Sequence, residues 1–161
     1  MIVIGIDPGI ADMGYGVLET NTGKADRCLA CGSLKTPAGA DGGERLFALA
    51  QGIRILLKKW GPSAAGIEKI YFSKNVSTAI QVAEARGVIR AVLAEAGLPV
   101  REFSPQEVKM AVCGQGRAEK CQVQGMVQRL LGLKSVPKPD DAADALAIAL
   151  ALAHTVRFAG K

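Results

Sequence analysis

Four acidic residues, far apart in the sequence, have the types and positions that metal-dependent hydrolysis requires. Asp7 ends an apolar run, Glu68 interrupts a second one, and Asp141 and Asp144 open a long apolar segment. Carboxylates brought together raise each other's pKa unless a cation lies among them. Oxygen ligands without nearby histidine or thiol suit Mg²⁺ or Mn²⁺ rather than zinc. Two such ions ~3.5–4 Å apart can clamp the attacking and leaving oxygens of a phosphodiester, so hydrolysis of nucleic acid is the chemistry that these acids predict.

Three predicted strands open the chain. Residues 1–9 form a short apolar run closed by a Pro-Gly pair, which predicts a buried strand with Asp7 at its end. Open α/β sheets place ligands at such strand ends, although Asp7 can also simply start an Asp-Pro turn. Residues 14–20 and 26–34 predict two further strands. Their short connections favour an antiparallel meander.

A helix and a fourth strand follow. Residues 44–60 predict an amphipathic helix whose apolar face packs on the sheet. The members of this face are Leu46, Leu49, Ile53, Leu56, Leu57 and Trp60. Residues 64–72 predict a strand parallel to the first, in which the carboxylate of Glu68 is costly to bury unless it is paired or metal-bound. If the two strands are neighbours, Asp7 and Glu68 meet at the same end of the sheet.

The region from residue 76 to residue 131 predicts three helices and a short strand. The helix over residues 76–96 carries a stripe of small residues, Ala79, Ala83, Gly87 and Ala91. We hypothesise that this helix packs on its twin in a homodimer, the alternative being close contact with the sheet. Residues 99–103 predict a fifth strand, and Ser104 and Glu107 form a capping box that starts a short helix carrying Lys109. The next helix is predicted over residues 118–131 and includes Lys120.

The final predicted helix, residues 140–154, is apolar nearly all round and is therefore expected to be covered. Either Asp140 or Asp141 can serve as its N-cap, but Asp144 lies too far into the helix for that role. Because residues three apart share a helical face, Asp141 and Asp144 present two carboxylates together.

Length and composition predict one domain over residues 1–161. The net charge of +5 and the pI near 9.2 favour a polyanionic partner without naming it. No basic-then-apolar leader opens the sequence, and no apolar run reaches the ~20 residues of a membrane span, so we expect a cytoplasmic protein. Cys28, Cys31, Cys113 and Cys121 are expected to be ordinary reduced thiols. In a strand, Cys28 and Cys31 would point to opposite faces.

Several ordered stretches together resemble the RuvC family of Holliday junction resolvases, which belong to the ribonuclease-H-like superfamily. These stretches are GIDPG (5–9), GYGV (14–17), IE (67–68), KN (74–75), ARG (85–87), QEVK (106–109), AEK (118–120) and DAADALA (141–147). The resemblance implies a ribonuclease-H-like α/β fold, a five-stranded mixed sheet with helices on both faces. It also implies a homodimeric, Mg²⁺-dependent endonuclease that resolves four-way DNA junctions by paired symmetric nicks, in recombination and repair, alongside the RuvA–RuvB branch-migration complex.

Carried over by position, the family's metal-binding acids fall on Asp7, Glu68, Asp141 and Asp144. Its basic catalytic residues fall on Lys109 and Lys120, which would hold the scissile phosphate. The junction-contacting aromatic aligns with Tyr71, with Phe72 beside it, and an aromatic there could stack on an unpaired base. Further DNA contacts are expected from Lys74, Arg86 and Arg117. We choose Asp141 over Asp140 because the family's acid lies three residues before the final aspartate.

Three rival functions are compatible with parts of the sequence. A related ribonuclease-H-like nuclease acting on structured RNA would use the same metal chemistry. An actin-like ATPase or sugar kinase also opens with an apolar strand and a phosphate turn, but needs two repeated domains and a second glycine-rich loop. A nonenzymatic nucleic-acid scaffold would have no need of all four acids.

Overall fold

A computed structural model describes the backbone of residues 1–69 and 76–159 and the side chains of residues 1–69 and 79–156. The strands are β1 Ile2–Asp7, β2 Asp12–Glu19, β3 Arg27–Lys35, β4 Ala64–Glu68 and β5 Val100–Phe103. The helices are α1 Gly42–Trp60, α2 Val76–Glu95, α3 Pro105–Cys113, α4 Lys120–Leu130 and α5 Asp140–Ala159.

The strands form one mixed sheet in the order β3-β2-β1-β4-β5. β2 pairs antiparallel with both β1 and β3, which confirms the predicted meander. β4 lies parallel to β1 and to β5. The predicted adjacency of the first and fourth strands is therefore confirmed, because α1 returns the chain to the edge where β1 begins.

Helices cover both faces of this sheet and bury two separate cores. α1 and α2 lie on one face, against alternate side chains such as Ile4, Ile6 and Ile67. α3, α4 and α5 lie on the other face, against residues that include Val3 and Phe103. This alternation follows from the two-residue period of a strand. The predicted α/β architecture with helices on both faces is confirmed.

The helix termini follow local signals in the sequence. The Asp41 carboxylate accepts hydrogen bonds from the backbone N–H groups of Gly43 and Glu44, and Gly61 ends α1 in the left-handed conformation. α4 begins at Lys120, two residues later than predicted. The reason is that Ala118 is buried against the neighbouring helices, while the backbone N–H of Glu119 donates to Oε1 of Gln122 at 2.8 Å. Lys120 is therefore the first residue of the helix.

The prediction that Cys28 and Cys31 point to opposite faces is wrong. The pairing of β2 with β3 shifts between Val17, opposite Ala30, and Leu18, opposite Cys28. Leu29 is thus an extra residue in a β-bulge, and one extra residue reverses the alternation of the side chains that follow. Both thiols consequently pack against the core under α5.

α5 lies directly on the backbone of the sheet because the strands beneath it carry glycine. A methyl group at Gly5 would overlap the backbone of Ala145 and Ala149, and one at Gly16 would crowd Leu146. This close approach explains why residues 142–153 of the helix, apart from the half-buried Asp144, are almost completely buried, as predicted. None of the helices in the described part of the chain combines the length and the apolar character needed to cross a membrane.

Candidate active site

The two acids on strands project from the same face of the sheet. Ile6 of β1 pairs with Ile67 of β4, and both side chains face α1 and α2. The next residues, Asp7 and Glu68, therefore project toward α3, α4 and α5. They stand at adjacent ends of two parallel strands, where open α/β sheets place their ligands.

α5 brings the other two acids to the same place. Ligand oxygens of Asp7, Asp141 and Asp144 all lie within 4.8 Å of one another. Among the described side chains, this is the one group of three or more metal-ligating residues that approach so closely. The three side chains are neither fully buried nor fully exposed, so the group can bind a metal ion and still contact a ligand in solution.

Glu68 lies beside this group rather than within it. Burial and the nearby Asp144 carboxylate raise the pKa of Glu68, and the Lys109 ammonium partly offsets them. Glu68 thus extends the cluster toward α3, whereas Asp141 extends it toward β2. The structure brings all four predicted acids into one electrostatically coupled site.

Asp7 carries the largest electrostatic cost in the site. Burial, the largest cause, and the Glu68, Asp144 and Asp141 carboxylates together raise the pKa of its carboxyl to about 7, against a lowering by Lys120. A carboxyl in this position holds a proton near neutral pH unless a cation replaces it. An oxygen-only donor set with this excess of negative charge fits a hard divalent cation.

Two further aspartates adjoin Asp141. Asp140 is 54% exposed, pairs with Lys120 and is not part of the close group of ligand oxygens. Asp12, at the start of β2, lies on the same face of the sheet as the acid cluster. Burial raises the pKa of Asp141, and the nearby Asp12 carboxylate raises it further. The Oδ1 atom of Asp12 is buried without a hydrogen-bond partner among the described residues. Sequence reasoning missed Asp12 because it began this strand at residue 14; strand alternation from Asp12 to Gly14 would have found it.

Two lysines border the acids. The Nζ atom of Lys120 lies 3.2 Å from Oδ2 of Asp144 and 3.3 Å from Oδ2 of Asp140. Burial lowers the pKa of Lys120, but these two carboxylates outweigh it and leave the pKa raised. Lys109 stands on the opposite side, near Glu68. Both lysines line a cleft of about 260 Å³ whose other walls come from Glu68, Pro105, Val108, Val123, Asp144, Ala147 and Ile148.

A capping box holds the start of α3 beside the site. The backbone N–H of Ser104 donates to Oε2 of Glu107 at 2.6 Å, and the backbone N–H of Glu107 donates to Oγ of Ser104 at 3.1 Å. The ammonium of Lys69 lies 3.6 Å from Oε2 of Glu107, which ties the end of β4 to the same turn. The predicted capping box is confirmed, and it orients the helix that carries Lys109.

The other predicted DNA contacts are distributed differently. Tyr71, Phe72 and Lys74 lie outside the described residues. The Arg86 guanidinium is 16% exposed and lies 2.7 Å from Oε1 of Glu102. Because α2 packs on the opposite face of the sheet from the acids, Arg86 is not brought to the cluster. Arg117 is exposed in the connection between α3 and α4.

Comparison with known proteins gives a consistent assignment. The family model described as "Crossover junction endodeoxyribonuclease RuvC" matches residues 3–154. A protein of that name from Chloroflexus aurantiacus is 50% identical over 155 residues, which are 96% of this chain and 94% of the relative. The structure of Thermus thermophilus RuvC is 36% identical, covers 99% of this chain and 97% of that one, and superposes with a TM-score of 0.91.

A second Thermus thermophilus structure is that of RuvC in complex with a Holliday junction substrate. It is 34% identical, covers 98% of this chain and 96% of that one, and has a TM-score of 0.89. The match therefore spans the whole sheet and its helices, and it confirms the ribonuclease-H-like fold. A family model and near-complete relatives that agree so fully show that this chain belongs to the crossover junction endodeoxyribonuclease RuvC family.

Proposed function

We propose that this protein resolves four-way DNA junctions by hydrolysing phosphodiester bonds with the help of divalent cations. The observation that carries the proposal is the cluster of Asp7, Asp141 and Asp144 oxygens within 4.8 Å, in a member of the RuvC family. The Thermus thermophilus relative in complex with a Holliday junction supports DNA junctions as the substrate over structured RNA.

Asp7, Glu68, Asp141 and Asp144 are the residues that would hold Mg²⁺, with Mn²⁺ as a substitute and two ions per site as the expected number. The bound metal would supply Lewis-acid stabilisation of charge on the phosphate and a more acidic water. Asp7 and Asp144 share the centre of the site, Glu68 serves the α3 side, and Asp141 serves the β2 side. Asp12 lies outside the close group, where its unpartnered oxygen can accept a hydrogen bond from water near Asp141.

Lys109 and Lys120 are proposed to bind the scissile phosphate. They flank the cleft at α3 and α4, and the cleft opens directly onto Glu68 and Asp144. A compact ammonium can neutralise a phosphate oxygen as charge builds up in the transition state. Lys120 must then exchange a carboxylate partner for a phosphate when DNA binds.

The protein is proposed to act as a homodimer, so that paired nicks fall in two strands of one junction. Ala83, Gly87 and Ala91 of the predicted contact stripe are exposed on α2, whereas Ala85 and Ile89 pack on the sheet. Of the four stripe residues, Ala79 is buried. The exposure of the other three does not support the alternative that the whole stripe packs on the sheet. The positive charge of a dimer would be twice the +5 of one chain, and junction binding should weaken steeply with salt.

Two predictions from the family resemblance stay predictions here. Tyr71 and Phe72 are expected to stack on unpaired bases at the junction centre, and a RuvA–RuvB complex is the expected branch-migration partner. Replacing each aromatic with leucine and measuring junction opening by 2-aminopurine fluorescence would test the first. Co-purification of the three proteins on a junction would test the second.

The proposed function is tested with labelled four-way junction, duplex DNA and structured RNA, each with Mg²⁺ or with EDTA. We expect symmetric nicking of the junction alone, complete loss of cleavage in EDTA, and junction binding that persists in EDTA. Asp144→Asn should bind the junction without cutting it. Cleavage of the RNA in preference to the junction would contradict the proposal and favour an RNA nuclease.

A further inference from the structure

Gly14 of β2 adjoins two acids of the cluster, Asp7 and Asp141. In the β1–β2 ladder it is the cross-strand partner of Asp7, so the two residues project from the same face of the sheet. Side chains at such paired positions lie ~4.5–5.5 Å apart at Cβ. The space that a side chain of residue 14 would occupy is therefore next to the Asp7 carboxylate.

That space is filled by the backbone of Asp141. A Cβ atom at residue 14 would overlap the carbonyl oxygen of Asp141, would lie 2.6 Å from its carbonyl carbon and would lie 3.0 Å from its Cβ. Among the described glycines, Gly14 is the one whose missing side chain makes room for an acid of the cluster. The obstruction is backbone rather than the end of a flexible side chain, so rotamer changes cannot relieve it.

We infer that Gly14 is a positioning residue that sets the separation between Asp7 and Asp141 and thereby the affinity of the site for a divalent cation. The inference rests on the proposed function, because it assumes that these two acids share a cation. Gly14 itself offers no ligand atom; it acts through the depth at which the first turn of α5 lies on β2.

Cation affinity is sensitive to a side chain at residue 14 because metal coordination has a strict geometry. An alanine at residue 14 would require the start of α5 to move away from β2 by roughly an ångström, because close-packed backbones do not interpenetrate. Metal–oxygen distances tolerate deviations of only ~0.2 Å, so a shift of this size removes Asp141 from a shared site. Asp144, one turn further along, would move with it.

The test measures Mn²⁺ binding by calorimetry, with fold checked by circular dichroism and thermal melting. Gly14→Ala should bind Mn²⁺ at least tenfold more weakly than the wild type. Gly16→Ala is the matched control, because residue 16 lies on the same strand and face and meets the same helix at Leu146, beyond the acids. It should also lower the melting temperature but leave Mn²⁺ affinity within threefold. The double variant Gly14→Ala/Asp141→Glu should recover part of the affinity, since a longer side chain spans the wider gap.

The inference is overturned if Gly14→Ala folds and its Mn²⁺ affinity is within threefold of that of the wild type. An equal loss in Gly16→Ala without recovery by Asp141→Glu also overturns it, because the effect is then general displacement of the helix. If wild-type protein binds no Mn²⁺ at all, or if Asp144→Asn leaves its binding intact, it is the proposed function that fails.

A measurement on the wild type decides the question if Gly14→Ala does not fold. In ¹⁵N-labelled protein, paramagnetic broadening by Mn²⁺ should remove the amide signals of Gly14 and Asp7 at the same Mn²⁺ concentration, while the signal of Leu18 persists. A Gly14 signal that survives after the Asp7 signal has disappeared would place the cation away from the β2–α5 contact and overturn the inference.

Discussion

The ammonium nitrogen of Lys120 lies 3.2 Å from Oδ2 of Asp144, so a lysine contacts a carboxylate that we propose to bind a cation. The same lysine is the first residue of α4, and its partner lies in the second turn of α5. Without metal, the lysine therefore offsets part of the negative charge of the site. We propose that, with metal and DNA bound, the same charge becomes available to the phosphate.

Replacing Lys120 with methionine should separate these two roles. We expect Mn²⁺ affinity to rise several-fold, because a competing cation is removed, while junction cleavage at saturating Mg²⁺ falls by ~10²-fold or more. Calorimetry and single-turnover cleavage measure the two effects. Lys58→Met on α1, on the opposite face of the sheet, is the control and should change neither. A fall in both quantities would show that Lys120 supports the metal site rather than the phosphate.

The adjacent aspartates at the start of α5 should differ sharply. Asp141→Asn should abolish cleavage and weaken Mn²⁺ binding, since its oxygen belongs to the close group of three. Asp140→Asn should keep nearly full activity, because Asp140 is 54% exposed, pairs with Lys120 and lies outside the close group of three. Cleavage rates of both variants on one junction substrate provide the comparison. The reverse pattern would assign the metal-binding role to Asp140.

The pKa of Asp7 predicts how the metal-free protein responds to pH. Its carboxyl has a pKa of about 7 in the folded chain against an ordinary 3.8, so between these values the folded state keeps a proton that the unfolded state has lost. Stability in EDTA must therefore fall as pH rises through this window. Asp7→Asn removes the cost of holding an ionised carboxylate at this position. It should raise the melting temperature above that of the wild type by ~3 °C or more at pH 8, and the difference should narrow toward pH 5. A difference in melting temperature between Asp7→Asn and the wild type that stays constant over this pH range would contradict the raised pKa of Asp7.

Arg86 and Arg117 should contribute to different properties. Arg86→Met breaks the 2.7 Å pair with Glu102 and leaves that partly buried carboxylate with the longer, 3.6 Å contact to Arg90. We expect it to lower the free energy of unfolding by ~1–3 kcal/mol with little change in junction affinity. Arg117→Met should leave stability unchanged, weaken junction binding several-fold and reduce its salt slope by about 1. Urea titration and binding at several salt concentrations test the pair. Equal losses of junction affinity in the two variants would show that Arg86 also contacts DNA.

The bulge in β3 predicts the order in which the thiols react. Burial and the neighbouring Cys31 raise the pKa of the Cys28 thiol to about 11, whereas Cys121 is exposed. Iodoacetamide at pH 8 should therefore alkylate Cys121 first and Cys28 at least tenfold more slowly, because the thiolate is the reactive form. Peptide mass spectrometry over a time course measures both rates. Comparable rates would contradict the burial of Cys28 and the raised pKa of its thiol.

Local sequence signals determined most of the elements and which acids were candidates for the site, whereas the choice of Asp141 over Asp140 came from the family resemblance. The apolar run ending at Asp7, the carboxylate inside the strand at Glu68 and the three-residue spacing of Asp141 and Asp144 each have a short-range cause in strand or helix geometry. The same holds for the capping box at Ser104 and Glu107. These features depend on residues close together in the chain, so they could be predicted without a tertiary structure.

Only the tertiary structure decided which distant groups touch. The bulge that turns Cys28 and Cys31 to one face, the pairing of Arg86 with Glu102 and the proximity of Asp12 to Asp141 depend on register and on packing between elements. The fit of Asp141 against Gly14 depends on the depth at which α5 lies on the sheet. Contacts between residues far apart in the chain leave no periodic signal in the sequence, because each partner is compatible with many neighbours until the chain is packed.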